Sequence, residues 1–295
     1  MTPKQLGALL LLSAMWGGSF IFMRIAAPAL GPIVLIALRV LIAGLALLAY
    51  GAATRSLPGF RSHWKQYLII GAINSALPFL LIATASLSLP ASMTATLNAT
   101  TPLFGAAVAA VWLGERMTAR KVLGLLLGIG GVATLMGLGS VPATAATLTA
   151  AGASLLAATS YGIAAVYTKV SMKAGNPLAL STFSQLFAAL LLAPLVPFAL
   201  PSAVPSGLVI WSTVALALLC TAFAYLLYFY LIVNAGPTKA TIVTFLSPAF
   251  GMLWGALLLK EALGPGNFLG FGMILASVGL VTGRPGGAPV AAKTS

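Results

Sequence analysis

Long apolar runs, separated by short polar or glycine- and proline-rich connections, dominate the pattern of the chain. Each run approaches the roughly 20 residues that a helix needs to cross the hydrocarbon core of a membrane. Cutting the sequence at Gly, Pro and charged positions predicts ten spans. They cover Leu6–Ala27, Pro32–Ala53, Tyr67–Leu87, Ser92–Leu113, Ala119–Leu138, Leu148–Lys169, Leu178–Ala199, Leu208–Ile232, Thr238–Leu259 and Pro265–Gly283. We therefore predict an all-α integral membrane protein with ten transmembrane helices.

The connections between the predicted spans are too short to hold a soluble domain. The predicted domains are two halves of one membrane bundle, residues 6–138 and residues 148–283, with five helices each. Residues 284–295 are rich in Gly, Pro and Ala and are expected to form a flexible tail.

The composition agrees with burial in lipid, because 60% of the residues are hydrophobic and 6% are charged, against about 25% charged in a soluble domain. The net charge of +13 does not indicate nucleic-acid binding, since the basic residues stand singly or in small groups without interleaved aromatics. The predicted partner is the lipid bilayer. Cys220 is a lone cysteine in an apolar run, so neither a disulfide nor a metal cluster is expected, and no cofactor.

The basic residues divide unevenly between the two sides that ten spans define. With the N-terminus in the cytoplasm, twelve Lys and Arg residues fall on the cytoplasmic side: Lys4, Arg55, Arg61, Lys65, Arg116, Arg120, Lys121, Lys169, Lys173, Lys239, Arg284 and Lys293. Arg24 and Lys260 fall on the other side, and Arg39 lies within a span. Cytoplasmic loops carry an excess of Lys and Arg, so both termini are predicted to be cytoplasmic.

The second half of the chain repeats the first. Thr-Pro-Leu-Phe-Gly at 101–105 and Ser-Pro-Ala-Phe-Gly at 247–251 align at an offset of 146 residues, and the two acidic residues of the chain, Glu115 and Glu261, align at the same offset. Five helices is an odd number, so the second repeat enters the membrane in the opposite direction. Inverted repeats place a substrate site near the midplane, at the interface between the halves.

With these motifs the sequence resembles the drug/metabolite transporter superfamily, in its ten-helix branch with two EamA domains. The resemblance is carried by Met15-Trp16-Gly17-Gly18-Ser19-Phe20, by Leu38-Arg39, and by Leu113-Gly114-Glu115 with its partner Leu259-Lys260-Glu261. It covers nearly all of residues 6–283 and is greatest to bacterial amino-acid exporters of the YddG type. The second half departs from the pattern at Lys260 and Tyr161, which stand where the first has Gly114 and Trp16. The resemblance implies a multi-pass carrier of a bacterial inner membrane, acting as a monomer or weak homodimer.

The two acidic residues each follow a predicted span by one or two positions. Glu115 is expected beside Arg116 and Glu261 beside Lys260. Two interpretations stay open for both: a helix-end ion pair that also caps a helix, or one half of a gate.

Proton-coupled transporters usually keep an Asp, Glu or His inside the bundle. This chain has none there, and its one histidine, His63, falls in a loop. We therefore predict a facilitator or exchanger.

Arg39 is the one charge well inside a span, about 10 Å from the nearer end of its helix. Its side chain either extends to the membrane surface or packs on a carbonyl, or it meets a substrate carboxylate in a cavity. Gln185 holds the equivalent position in the second half and can add a neutral hydrogen bond.

Pro102 and Pro248 occupy matched positions inside helices four and nine. Each removes a backbone hydrogen bond and bends its helix. They are either static kinks or hinges for alternating access, and their symmetry favours hinges.

Polar side chains inside the predicted spans suggest a cavity. Thr94, Asn98 and Thr101 recur at helical spacing and form a stripe on helix four, and Asn74 belongs to helix three. Single Ser and Thr residues usually bond to their own backbone, so the stripe with Asn98 is the stronger indication.

Aromatic residues divide by depth. Trp64, Trp112 and Trp211 lie near span ends and are typical of interfacial anchors. Trp16, Tyr161, Tyr225 and Tyr228 lie within spans, where they either pack against helices or bind a flat or apolar substrate.

Gly124-x-x-x-Gly128 and Gly266-x-x-x-Gly270 lie in the equivalent helices five and ten and let helices pack closely. The sequence thus predicts a carrier that exports small metabolites, with amino acids implied by the resemblance. The alternatives are a multidrug or quaternary-amine exporter, a channel, and a membrane enzyme, which would need a cluster of carboxylate, His or Cys side chains.

Overall fold

A computed structural model describes residues 1–57, 60, 63–138, 140–172 and 176–282. The described residues form helices and no strand. The helices are α1 (Pro3–Ala53), α2 (Trp64–Gly71), α3 (Leu77–Ala85), α4 (Ala91–Asn98), α5 (Thr101–Leu113), α6 (Ala119–Leu138), α7 (Ala145–Ser171), α8 (Pro177–Leu192), α9 (Gly207–Ala217), α10 (Ala224–Ala235), α11 (Pro237–Ala240), α12 (Val243–Leu258) and α13 (Pro265–Thr282). The all-α prediction is confirmed, and the tail predicted over 284–295 lies outside the described residues.

The first two predicted spans are one element in the structure, α1, of 51 residues. At about 1.5 Å per residue this is more than twice the thickness of a hydrocarbon core. The element is broken at Gly31, whose φ of 72° and ψ of 153° lie outside the helical region, between Pro28 and Pro32. Only glycine adopts this backbone conformation readily, so the chain reverses here and α1 supplies two antiparallel helices.

Eight helical stretches of the described chain are long and apolar enough to cross a membrane, with α1 counted once. The 16-residue helix α12 is apolar but shorter, and α11 precedes it directly. Counting α1 twice and adding α11 with α12 gives ten crossings, and the count of ten spans stays a prediction.

Successive helices run between two ends of the bundle, which we call the near end and the far end. The near end holds the start of α1 and the α5–α6, α7–α8 and α10–α11 connections. The far end holds Gly31, the connection from α3 to α4 and the connection from α12 to α13. Hydrogen bonds between distant segments join groups at the same end of the bundle. Gln5 Nε2 donates to Asn234 O at the near end, and Arg24 Nη1 donates to Ser86 O at the far end.

Helix starts follow ordinary capping chemistry. Thr2 accepts from the backbone N–H of Gln5, and the Gln5 side chain bonds back to Thr2, which completes a capping box at α1. Thr144 does the same at α7 with Thr147, and Asn176 caps α8. These polar residues fix where the apolar runs begin.

Two π-helical segments interrupt predicted spans at matched positions. Ala72–Ala76 lies between α2 and α3, and Leu218–Phe223 lies between α9 and α10, 146 residues further along. A π-segment frees backbone carbonyl groups and is frequent at functional sites. At the first one, Ile73 O accepts a hydrogen bond from Ser160 Oγ at 2.6 Å.

Predicted spans four and nine are each broken into two helices. The first break is a turn at Ala99–Thr100, and the second is a turn at Thr241–Ile242. Pro102 therefore lies in the first turn of α5, where a proline costs no hydrogen bond, and the expectation that it bends the middle of a continuous helix is wrong. Pro248 does lie inside its helix, α12.

Contacts between the halves occur in reciprocal pairs. A Cβ added at Gly17 would lie 2.7 Å from Gly251 N, and one added at Gly162 would lie 2.7 Å from Gly105 N. Helices α6 and α13 pack along each other in the same way, with Gly124 against Ser277 and Gly270 against Gly131. The α6–α13 contacts map onto each other at the 146-residue offset, as does Gly251 onto Gly105, whereas Gly17 and Gly162 are separated by 145 positions. Close packing at the glycine motif positions 124, 128 and 270 agrees with their predicted structural role.

Candidate functional site

A cavity of about 330 Å³ lies at the centre of the bundle. Its walls come from α1, the two π-segments and their neighbouring helices, the α4–α5 break, α7 and α12. Eight of the nine predicted substrate residues line it: Trp16, Arg39, Asn74, Asn98, Thr101, Tyr161, Tyr225 and Tyr228. Pro102 and Pro248 line it as well.

Arg39 is buried in the cavity wall, with 4% of its surface exposed. Its Nε donates to Thr221 Oγ1 at 3.0 Å, and its guanidinium carbon lies 3.6 Å from the centroid of the Phe79 ring. Thr221 belongs to the second π-segment. Two of the three interpretations are therefore wrong: the side chain neither extends to the membrane surface nor packs on a carbonyl.

No acidic side chain balances the charge of Arg39. The chain has two acidic residues, and Glu115 and Glu261 are both engaged at the ends of the bundle. A buried cation without a counter-ion is costly, and stacking on the face of an aromatic ring offsets part of that cost. The wall of the cavity thus presents guanidinium N–H groups that favour an anion.

Gln185 lies behind the wall and not on it. Its Nε2 is 3.5 Å from the hydroxyl of Tyr225, which does line the cavity, and its Oε1 has no hydrogen-bond partner among the described residues. Gln185 can orient Tyr225, and a direct contact with a ligand would require a rearrangement.

The predicted polar stripe reaches the cavity at two of its three positions. Asn98 and Thr101 line the cavity, whereas the hydroxyl of Thr94 donates to Pro90 O. Asn98 Oδ1 is buried and has no hydrogen-bond partner within the described part of the chain. It is an acceptor suited to an ammonium or hydroxyl group.

Aromatic rings form much of the remaining wall. Trp16 and Tyr228 lie with their ring centroids 5.4 Å apart, and Tyr161 lies edge-on to Phe79 at 6.3 Å. By contrast, Trp64, Trp112 and Trp211 are exposed on the outside of the bundle, as interfacial anchors would be.

Sequence reasoning missed Phe79, Met23 and Thr221 as cavity residues. The first two are ordinary apolar residues in ordinary spans, and Thr221 is one of many Thr residues. Cys220, interpreted as a small hydrophobic residue, also lines the cavity as a free buried thiol. Only the position of Cys220 and Thr221 at the repeat equivalents of Asn74 and Ser75 could have suggested them.

The cavity opens toward the near end. Its far-end lining residues Met23, Ile82 and Ala95 are buried, whereas Thr244 on the near-end side is exposed and Tyr228 is half-buried. Helix α4 packs along α12 at the far end. Their repeat counterparts at the near end, α11 and α5, share no comparable interface among the described residues.

The two glutamates occupy different environments. Glu115 is 40% exposed and pairs with Lys121 at 3.3 Å and Lys169 at 3.4 Å. The hydrogen bond from Lys121 is the main reason that the pKa of this carboxyl lies below its ordinary value. Glu261 does not pair with Lys260 as expected; its carboxylate instead accepts from the backbone amides of Ala91 and Ser92.

An apolar helical bundle around a central cavity that reaches one end is the architecture expected of a membrane transport protein. The sequence profile of the EamA-like transporter family matches residues 4–137 and again residues 148–283. The chain belongs to the EamA-like transporter family and is not an enzyme.

Curated relatives are similar in sequence over most of the chain. The uncharacterized transporter YoaV of Bacillus subtilis is 24% identical and covers 88% of this chain and 89% of its own. YvbV of the same organism is 27% identical, covering 95% and 92%. The uncharacterized inner membrane transporter YedA of Escherichia coli is 26% identical, covering 94% and 90%. A protein of known crystal structure superposes with a TM-score of 0.67 at 18% identity, over 96% of this chain and 97% of that one, and so shares the fold.

Proposed function

We propose that this transporter is an alternating-access carrier of a bacterial inner membrane that exports small metabolites bearing a carboxylate. Amino acids, aromatic ones included, are the substrate class that the cavity fits best. Transport occurs by facilitated diffusion or by exchange.

Arg39 is the observation that carries the proposal. It is a buried guanidinium in the cavity wall, held by Thr221 and Phe79, with no acidic partner in the chain. A substrate carboxylate would complete its hydrogen bonds, and such charge-assisted bonds are about twice as strong as neutral ones. A single cation suits a zwitterion, whereas a phosphorylated substrate would call for several.

The remaining wall matches the other groups of an amino acid. The unpartnered Asn98 Oδ1 accepts from an ammonium group. The rings of Trp16, Tyr161 and Tyr228 receive an apolar or aromatic side chain. A volume of about 330 Å³ lies at the small end of the range for ligand pockets, about 300–1,000 Å³.

The reciprocal contacts and the matched π-segments support a pseudo-two-fold axis in the membrane plane, which relates residues 6–138 to residues 148–283. Of the described Lys and Arg residues other than Arg39, eight lie at the near end and two, Arg24 and Lys260, at the far end. The excess supports a cytoplasmic near end, and on this orientation the conformation is open to the inside. Pro102 and Pro248, on the cavity wall next to the broken helices, are the proposed hinges.

The proposal predicts that binding depends on the carboxylate and on Arg39 together. Phenylalanine and phenylethylamine differ by that carboxylate alone, and their affinities for the purified protein are measured by titration calorimetry. Phenylalanine binds the wild type, and Arg39→Gln weakens it by a factor of about 10 to 100, as expected for a lost charge-assisted bond. Phenylethylamine, which is a cation without a carboxylate, binds the wild type weakly, and Arg39→Gln does not weaken its binding further.

Two controls separate loss of the site from loss of the fold. Arg39→Lys keeps the charge and retains part of the affinity, and thermal unfolding reports whether each variant is folded. Arg39→Gln removes an unbalanced buried charge, so it unfolds no earlier than the wild type. Equal phenylalanine affinity in wild type and Arg39→Gln would contradict the proposal.

The ring pair of Trp16 and Tyr228 supports one alternative, an exporter of quaternary amines bound by cation–π contacts. Arg39 in the same cavity disfavours a cationic ligand. Tighter binding of tetramethylammonium or tetraphenylphosphonium than of phenylalanine would favour this alternative.

A further inference from the structure

Glu261 joins two helices across the closed far end of the cavity. It follows α12, and its carboxylate accepts from Ala91 N at 2.6 Å and from Ser92 N at 3.0 Å, the first two amides of α4. Pro90, which precedes α4, supplies no side-chain cap, so Glu261 satisfies amides that would otherwise lack an acceptor. The negative charge also interacts favourably with the N-terminal end of the helix.

This contact needs space that only glycine leaves. A Cβ added at Gly255 would lie 2.5 Å from Glu261 Oε2 and 3.4 Å from Ser92 N. The backbone of Lys260 has a φ of 54°, in the left-handed region; this turns the chain so that Glu261 N bonds back to Gly255 O at 3.1 Å. The carboxylate is therefore positioned by the end of α12.

The residues that would make the same contact at the near end are those related to the far-end residues by the 146-residue offset. Glu115 corresponds to Glu261, and Pro237 and Thr238 correspond to Ala91 and Ser92. Proline has no backbone N–H to donate, so one of the two hydrogen bonds is missing. Ala109 corresponds to Gly255, so the equivalent near-end contact would meet a methyl group where the far-end contact has none.

In the present conformation Glu115 is held elsewhere. It pairs with Lys121 and Lys169 near the surface. Lys169 follows Tyr161 by the eight positions that separate Arg24 from Trp16, and Arg24 closes the far end by donating to Ser86 O and Leu87 O. The repeat thus places one Glu and one matched basic residue at each end. At the far end both bond to backbone groups of other segments, and at the near end they bond to each other near the surface.

We propose that Glu261 and Glu115 are the alternating closing residues of the carrier, each capping the opposite broken helix when its own end of the cavity shuts. The inference rests on the proposed alternating access. The far-end contact has two amide donors and a glycine, and the near-end contact has one donor and an alanine. The unequal contacts bias the empty carrier toward the conformation that is open at the near end.

The test measures which face of the membrane reaches the cavity. A single reporter cysteine at Ala99, which lines the cavity, is introduced on a Cys220→Ser background. A membrane-impermeant maleimide is applied to intact spheroplasts or to inverted vesicles, without substrate. The readout is the labelling rate at whichever face is closed in the reporter protein, so it depends neither on the substrate nor on the assigned orientation.

Weakening the far-end contact is expected to raise labelling at the closed face. Glu261→Gln and Gly255→Ala each raise it by about tenfold or more, as the loss of a charge-assisted hydrogen bond allows. The matched control Glu115→Gln, which removes the exposed ion pairs, does not raise it.

Completing the near-end contact should also raise labelling at the closed face, because it stabilises the other conformation instead of weakening the one observed. Ala109→Gly combined with Pro237→Ala supplies the missing space and the missing N–H, and it raises closed-face labelling. Adding Glu115→Gln to that pair abolishes the rise. Ala110→Gly, one position along α5, controls for a loosened helix and has no effect.

Two results would overturn the inference: wild-type labelling in folded Glu261→Gln and Gly255→Ala proteins, or an equal rise with Glu115→Gln, which would mean general loosening. Phenylalanine binding tests the substrate site, and its loss would leave the closed-face labelling rate unchanged because that rate is measured without substrate. The two proposals can therefore fail separately.

Discussion

At the scale of single residues, the rare charges of the chain do most to define its chemistry. Arg39 is buried beneath Phe79 and bonded to Thr221. Sequence reasoning identified Arg39 as the one intramembrane charge and left its contacts open, because the ring and hydroxyl that hold it lie 40 and 182 positions away in the chain. Neither partner is distinguishable by its residue type from many similar residues.

Lys260 gives a prediction at the same scale. It adopts a φ of 54°, whereas its repeat equivalent, Gly114, has a φ of 66°. A left-handed backbone costs a non-glycine residue about 1–2 kcal/mol. Part of this is offset by the greater freedom of an unfolded glycine, so Lys260→Gly should stabilise the protein by about 0.5–1 kcal/mol.

Thermal unfolding in detergent measures the effect of this change. Lys260→Ala is the matched control, since it removes the same charge and keeps the strained backbone, and it should not stabilise the protein. Equal stabilisation by Ala and Gly would assign the effect to charge and contradict the explanation from strain.

At the scale of elements, the broken helices were the least predictable part of the fold. Spans four and nine each read as one apolar run, yet turns at Ala99–Thr100 and Thr241–Ile242 divide them. The π-segments at Ala72–Ala76 and Leu218–Phe223 were also not predicted. Hydrophobic periodicity averages over several turns, so it cannot detect one altered turn inside a span. Non-helical backbone at this depth is tolerated where it lines a cavity, and both π-segments and the break at Ala99–Thr100 contribute residues to the cavity wall.

The packing of α6 against α13 depends on a close approach at Gly270. A Cβ at Gly270 would lie 2.9 Å from both Gly131 O and Leu135 Cβ. Gly270→Val should therefore force the helices apart and destabilise the protein by about 1–3 kcal/mol. Gly272→Val, two positions along the same helix, meets nothing within 4 Å and should be neutral. The two unfolding temperatures are compared, and equal values would show that close approach at Gly270 is unimportant.

At the scale of the whole molecule, composition and charge pattern predicted the class of protein correctly. A chain with 6% charged residues cannot cover its surface with polar groups, so it must face lipid. The family profile matches the chain twice, over residues 4–137 and 148–283, and the division into two inverted repeats, read from Pro, Gly and Glu positions, stays a prediction. The sequence did not indicate which end of the cavity is closed, because the two halves have nearly the same pattern. The difference depends on contacts such as those of Glu261.

The account also implies transport without protons. Both acidic residues lie at the ends of the bundle, and the pKa of the Glu115 carboxyl is lowered, mainly by the hydrogen bond from Lys121. A lowered pKa means that the ion pairs are complete above the ordinary value and are lost only as the pH falls through the lowered one. Glu115 therefore stays ionised at neutral pH and carries no proton during the cycle.

Counterflow in proteoliposomes distinguishes a carboxylate-selective carrier from a channel. Vesicles loaded with unlabelled phenylalanine are diluted into labelled phenylalanine at constant pH. Uptake is measured as retained label, and the internal pH is followed with a pH-sensitive dye in the lumen. The account predicts transient, saturable accumulation that requires Arg39, is not supported by phenylethylamine and leaves the internal pH unchanged. Uptake that does not saturate, or exchange supported equally by phenylethylamine, would contradict a carboxylate-selective carrier.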